Sequence, residues 1–160
     1  MRYIGLCVIV FAVLLVWRGY CAYLAECSTY SLAFLRALRD YREKMKCYLV
    51  SPCEWANGFS DGALSDIGFL DRVKNGETLF VAYQAIRQGI FLPKRIDEAL
   101  LSCFERLGEG YLDTELETLE GAIAEIEREE KALSEDVPRR QKAVGALLGA
   151  CVVGGVILII

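Results

Sequence analysis

The stretch LDTELETLEGAIAEIEREEKALSEDV, residues 112–137, places apolar side chains at Leu112, Leu116, Leu119, Ile123, Ile126, Leu133 and Val137 in a 4-3-4-3-4-3-4 series, with Glu130 in the remaining position. That spacing returns one side of an α-helix to the same seam turn after turn. It predicts a long amphipathic helix that must bury its seam against other helices. The partner is either a helix of the same chain or a second protein, and the same chain is favoured because further amphipathic stretches lie upstream.

Those stretches also read as helix. From Ser28, read as an N-cap, Leu32, Leu35, Leu38, Tyr41, Met45 and Tyr48 recur every three or four residues, and Pro52 ends or kinks the run. NGFSDG, residues 57–62, is expected to be a loop. A short helix is expected over 63–73, stopping at Asn75-Gly76, and another from about 77 to 88 with Leu79, Tyr83 and Ile86 on one face. Pro93 opens the next, whose Ile96, Leu100, Cys103 and Leu107 form a stripe ahead of Gly108, read as the C-cap. Little in the segment suggests strands. The expected fold is an all-α helical bundle.

Both ends of the chain differ from this middle. Tyr3–Trp17 and Ala143–Ile160 contain no Asp, Glu, Lys or Arg, and all 22 acidic residues fall between Glu26 and Asp136. An 18-residue helix is about 27 Å long, close to the hydrocarbon thickness of a bilayer. The shorter N-terminal run is like the apolar core of a signal peptide, but RGYCAYLAEC offers poor small-residue cleavage positions. An uncleaved anchor is therefore preferred, with Trp17, Tyr20 and Tyr23 as interfacial aromatics and Arg18 snorkelling to the headgroups. The expected organisation is an N-terminal transmembrane helix over 1–25, a cytoplasmic helical-bundle domain over 26–142 and a C-terminal transmembrane helix over 143–160. Arg18, Arg36, Arg39 and Arg42 after the first run, and Arg139, Arg140 and Lys142 before the second, put the middle on the cytoplasmic side.

Charge also divides the helices. Residues 36–46 carry five basic and two acidic groups, and residues 113–136 carry ten acidic and two basic groups. Either these are two solvated faces, pairing antiparallel, or the basic helix faces anionic lipid and the acidic one a protein partner. A net charge of −4 argues against nonspecific nucleic-acid binding.

The seven cysteines include no C-x-x-C and the chain has no histidine, which excludes a mixed cysteine–histidine zinc site and speaks against an all-cysteine one. The irregular set suits a reducing compartment. With no histidine base, no phosphate-binding loop and no nucleophile elbow, the chain reads as a non-enzyme without metal or cofactor. A lone nucleophile at Cys47, Cys53 or Cys103 has nothing to support it.

Three passages resemble the stage III sporulation protein AB family of endospore-forming bacteria. LRALRDYREKMKCYLVSPCEWA carries a Leu-rich helix, an acidic residue, a Tyr and a Ser-Pro, with Leu38, Glu43, Tyr48, Ser51 and Pro52 in those roles. NGETLFVAY supplies Gly76 and Ala82-Tyr83 where the family has Gly followed by Ala-Trp. The Asp113-led helix running towards the second apolar stretch is the third. The resemblance implies a membrane-anchored assembly component of the channel complex linking mother cell and forespore, in the mother-cell membrane facing the forespore. It further implies a cytoplasmic domain similar to those of type II secretion inner-membrane F components, docking a cytoplasmic ATPase, stage III sporulation protein AA. Other channel-complex proteins and membrane lipid are the remaining partners, and a homo-oligomer stays open. Candidate partner-interface residues are Glu43, Tyr48 and Pro52 from the resemblance and Asp113, Glu117 and Glu120 on the acidic face. The alternative is a secreted or surface helical protein with a cleaved signal peptide and a C-terminal anchor.

Overall fold

In the computed structural model, the backbone of residues 2–108 and 110–159 is described, and the side chains of 11–108, 110–135, 142–146 and 149. Seven α-helices follow in order: α1 (Arg2–Tyr48), α2 (Pro52–Gly58), α3 (Gly62–Asp66), α4 (Phe69–Lys74), α5 (Leu79–Ile86), α6 (Lys94–Arg106) and α7 (Leu112–Ile159). A single 3-10 turn, Arg87–Gly89, follows α5, and no strand occurs among the described residues. The chain divides into two compact units, residues 26–131 and the paired segments 1–25 and 132–160.

The unit 26–131 is a helical bundle. Four rings meet at its centre: Phe34 lies 5.4 Å from Phe69 and 5.5 Å from Tyr83, and Phe104 lies 5.4 Å from Tyr83 and 6.0 Å from Phe69. All four are buried, so α1, α4, α5 and α6 each contribute one ring to a shared aromatic core. Edge-to-face and offset pairs of this kind add about 0.5–1.5 kcal/mol beyond the area they bury. Leu119, Ala122, Ile123 and Ile126 of α7 are buried in the same core, which makes the seam internal to the chain. The seam loosens at its ends: Leu112 is exposed, Leu116, Glu130 and Leu133 are half-buried, and Val137 lies outside the described side chains.

The basic and acidic helices pair. Arg39 donates to Glu127 at 2.6 Å and Arg42 approaches Glu120 at 3.7 Å, so rising numbers on α1 meet falling numbers on α7. Arg95 of α6 joins the same acidic face at Glu129, 2.7 Å away. Antiparallel pairing of two solvated faces accounts for this part of the charge partition.

Several boundaries differ from expectation. Ser28 caps nothing, because α1 runs unbroken from Arg2 and no residue between the apolar run and the bundle stops it. The buried face of α1 is wider than a single stripe, taking in Ala33, Phe34 and Ala37, while Leu32 and Tyr48 at its two ends are exposed. Pro52 begins a helix instead of ending one. It follows Ser51, whose hydroxyl accepts from the Glu54 N–H while the Glu54 carboxylate accepts from the Ser51 N–H, a reciprocal capping box. Asn57 and Gly58 belong to α2, and the helix expected over 63–73 is two, separated by a turn at Ile67-Gly68. Helix α7 continues through Pro138 to Ile159, past the point where the seam ends.

Among the described residues, no helix is long and apolar enough to cross a membrane. Most side chains of the expected spans, 3–10 and 147–160 except Gly149, lie outside the described residues. From the part that is described, Phe11, Leu14, Leu15 and Val16 are 64%, 57%, 54% and 69% exposed.

Candidate docking surface

The end of the bundle remote from residues 26 and 131 holds an open cleft of about 470 Å³. There α1 and α6 finish while α2, α5 and α7 begin, roughly 30 Å along α1 from Glu26 at about 1.5 Å per residue. Its walls are apolar, with Met45, Val50, Pro52, Leu79, Leu107 and Leu112 among them. Its lining includes two carboxylates, Glu77 and Glu115, and no lysine or arginine.

Helix endings shape the rim. A helix that stops must satisfy its last carbonyls, most simply by turning one residue left-handed, and glycine does this without steric cost. Gly76 does so after α4, with φ 91°: its N–H reaches the Val73 carbonyl and the Glu77 N–H reaches that of Arg72. Gly108 after α6 is similar, with φ 97°, and donates to Glu115 Oε1 at 2.9 Å. At the end of α1 the same backbone region is taken by Leu49, with φ 53° and its N–H on the Met45 carbonyl. A β-carbon in that conformation costs about 1–2 kcal/mol. The side chain so displayed is 71% exposed.

Tyr41 forms the floor. It is 4% exposed, its ring lies 5.2 Å from that of Trp55 at a tilt of 59°, and its hydroxyl makes no hydrogen bond with the described residues. Burial, followed by the nearby Glu115 charge, pushes its pKa up to about 12, so the phenol stays protonated. Cys53 Sγ donates to the Lys74 carbonyl at 3.4 Å on one wall.

Of the six candidate interface residues, one is in the cleft lining. It is Pro52, and exposed Tyr48 and Asp113 adjoin the lining residues Leu49 and Leu112 in sequence. Glu43 is exposed on α1 between Tyr41 and Met45 in sequence. Glu117 faces a separate groove between α6 and α7, of about 500 Å³, and Glu120 is engaged with Arg42. Sequence reading missed Tyr41, Leu49, Glu77 and Glu115 as cleft groups. One signal was present: α1 has to stop before Ser51-Pro52, and CYLV contains no glycine or asparagine to turn it.

A second polar cluster has a structural role. Tyr83 Oη donates to Asp97 Oδ1 at 2.7 Å and Arg87 grips the same carboxylate through Nε and Nη2, tying the end of α5 to the start of α6. Burial acts to raise the Asp97 pKa, but the hydrogen bonds from Arg87 and Tyr83 outweigh it and hold the carboxyl below its ordinary value. No group of three or more Cys, Asp or Glu is placed to hold a metal ion among the described residues.

No protein-family model, curated protein or solved structure matches the chain.

Proposed function

We propose that the chain is a membrane-anchored assembly component whose helical bundle is held on the cytoplasmic side by hydrophobic helices over 1–25 and 143–160, and there docks a cytoplasmic ATPase. The setting proposed is the mother cell–forespore channel complex, with stage III sporulation protein AA as the ATPase, in the manner of a type II secretion platform.

The observation that carries this is the contrast at Phe11–Val16. Successive helical residues point about 100° apart, so exposed Leu14, Leu15 and Val16 cover most of the helix circumference with apolar surface. A helix apolar on all sides finds its solvent in a bilayer or a protein core. Lys and Arg flanking the two apolar runs favour the cytoplasm for the segment between them. The bundle offers its open apolar cleft and exposed Tyr48 at its end opposite residues 26 and 131, a surface that can take a protein partner.

Cys47 is the reporter for the topology, because it is exposed whereas Cys103 is buried and Cys53 half-buried. In sealed cells an impermeant maleimide should leave Cys47 unlabelled until the membrane is permeabilised. Labelling of Cys47 in sealed cells would place the bundle outside, as the secreted alternative requires, and would remove the ATPase as a partner.

A further inference from the structure

The docking role proposed above leaves open which surface does the work and what chemistry it recognises. Three observations converge on the cleft. Its lip continues outward in apolar side chains that nothing covers: Tyr48, Leu49 and Tyr111 are 77%, 71% and 87% exposed. A small apolar ligand would be contained by the walls and would leave these three in water, whereas a helix laid across the cleft covers them.

The charge in the lining is of one sign. Glu77 is balanced by Arg72 at 3.2 Å, but Glu115 takes only the Gly108 N–H, and Asp113 beside it makes no ion pair among the described residues. The Tyr41 hydroxyl is the third observation. The Tyr41 ring is buried, but its hydroxyl opens on the cleft and bonds to none of the described residues, so the oxygen is free to accept from a ligand.

We propose that the cleft receives an amphipathic helix of a partner protein, its apolar face against Met45, Leu79 and Leu112 with Leu49 closing over it, and a lysine or arginine of that helix on the Glu115 carboxylate. The head group of that residue donates to Glu115 and to the phenolic oxygen of Tyr41, while its aliphatic stem lies along the apolar walls. Leucine at position 49 then has a reason: it sets an apolar contact at the lip where glycine would set none.

The test is selection from a phage library of 16-residue helical peptides against the full chain in lipid nanodiscs, with empty nanodiscs as the counter-selection. Selected peptides are expected to carry Lys or Arg beside a Leu, Met or Phe stripe at three- and four-residue spacing. Their affinity should fall at least tenfold on Glu115→Gln, which keeps an oxygen for the Gly108 N–H and removes only the charge, and at least tenfold on Leu112→Asp. Helical content by circular dichroism should match the parent for both variants. Selection of acidic or neutral peptides, affinities indifferent to both variants, or no enrichment over empty nanodiscs would each overturn the proposal. So would a dimer of the chain that Leu112→Asp dissociates, since the occupant would then be a second copy. Cys47 labelling reads the membrane topology independently, so a cleft that selects nothing while Cys47 stays protected sinks this inference alone.

Discussion

The centre of the bundle and its cleft end follow opposite rules. At the centre, Phe34, Phe69, Tyr83 and Phe104 fill one another's surroundings, and the one hydroxyl among them is satisfied by Asp97. At the cleft end a leucine occupies a glycine's conformation, the Tyr41 hydroxyl opens on the cleft and two tyrosines stand in solvent. Local rules that agree with the global fold give stability, and their violations cluster where a surface is used. On the docking role proposed above, the difference separates residues that hold the bundle from residues that are held ready by it.

The largest effect should therefore come from the centre. Phe34→Ala removes the ring that touches three others and should cost about 3–5 kcal/mol, read by denaturant unfolding of the full chain in detergent. A loss under about 1 kcal/mol would mean that the aromatic centre does not carry the fold.

Next is Asp97. Its carboxyl is held below the ordinary carboxylate value of 3.8, so the stability it adds is present above that value and is lost as pH falls through the lowered native one. Asp97→Asn should cost about 1–3 kcal/mol at pH 7 and should flatten the fall in melting temperature below about pH 4. An unchanged acid limb would detach the Tyr83–Arg87–Asp97 cluster from acid sensitivity.

Leu49→Gly sharpens the comparison from the other side. Relief of the left-handed strain, about 1–2 kcal/mol, is offset by the looser unfolded chain, about 0.5–1 kcal/mol, so stability should hold or rise slightly. A fall by 2 kcal/mol or more, roughly a buried aliphatic side chain, would show that Leu49 belongs to the core. The smallest effect should be at Glu120→Ala, whose pairing with Arg42 is exposed and long, and which should stay within about 0.5 kcal/mol of the parent.

Much of the fold was legible because helical periodicity survives in the sequence. The α7 seam and the α6 stripe placed Leu119, Ile123, Ile126, Ile96, Leu100 and Cys103 in the core, where they lie. Boundaries were less legible. Ser28 looks like a cap only if the helix before it stops, and that depends on the continuity of α1, not on the serine. Pro52 reads equally as an end or a beginning until Ser51 and Glu54 are seen to bond to each other.

The cleft itself was less legible in the sequence than the fold. Pro52 lines the cleft, and Tyr48 and Asp113 are next in sequence to lining residues, because helix termini gather there. Glu115 and Tyr41 are 74 residues apart in the chain and share one floor only through the antiparallel return of α7. No local pattern carries that juxtaposition.

The most direct measurement pairs two quantities on one variant: the unfolding free energy of full-length Leu49→Gly, and its affinity in nanodiscs for the partner proposed above, stage III sporulation protein AA. Stability equal to or above the parent, with affinity reduced at least tenfold, is the expected result. Undiminished affinity would contradict the assignment of the cleft end as the working surface of this bundle.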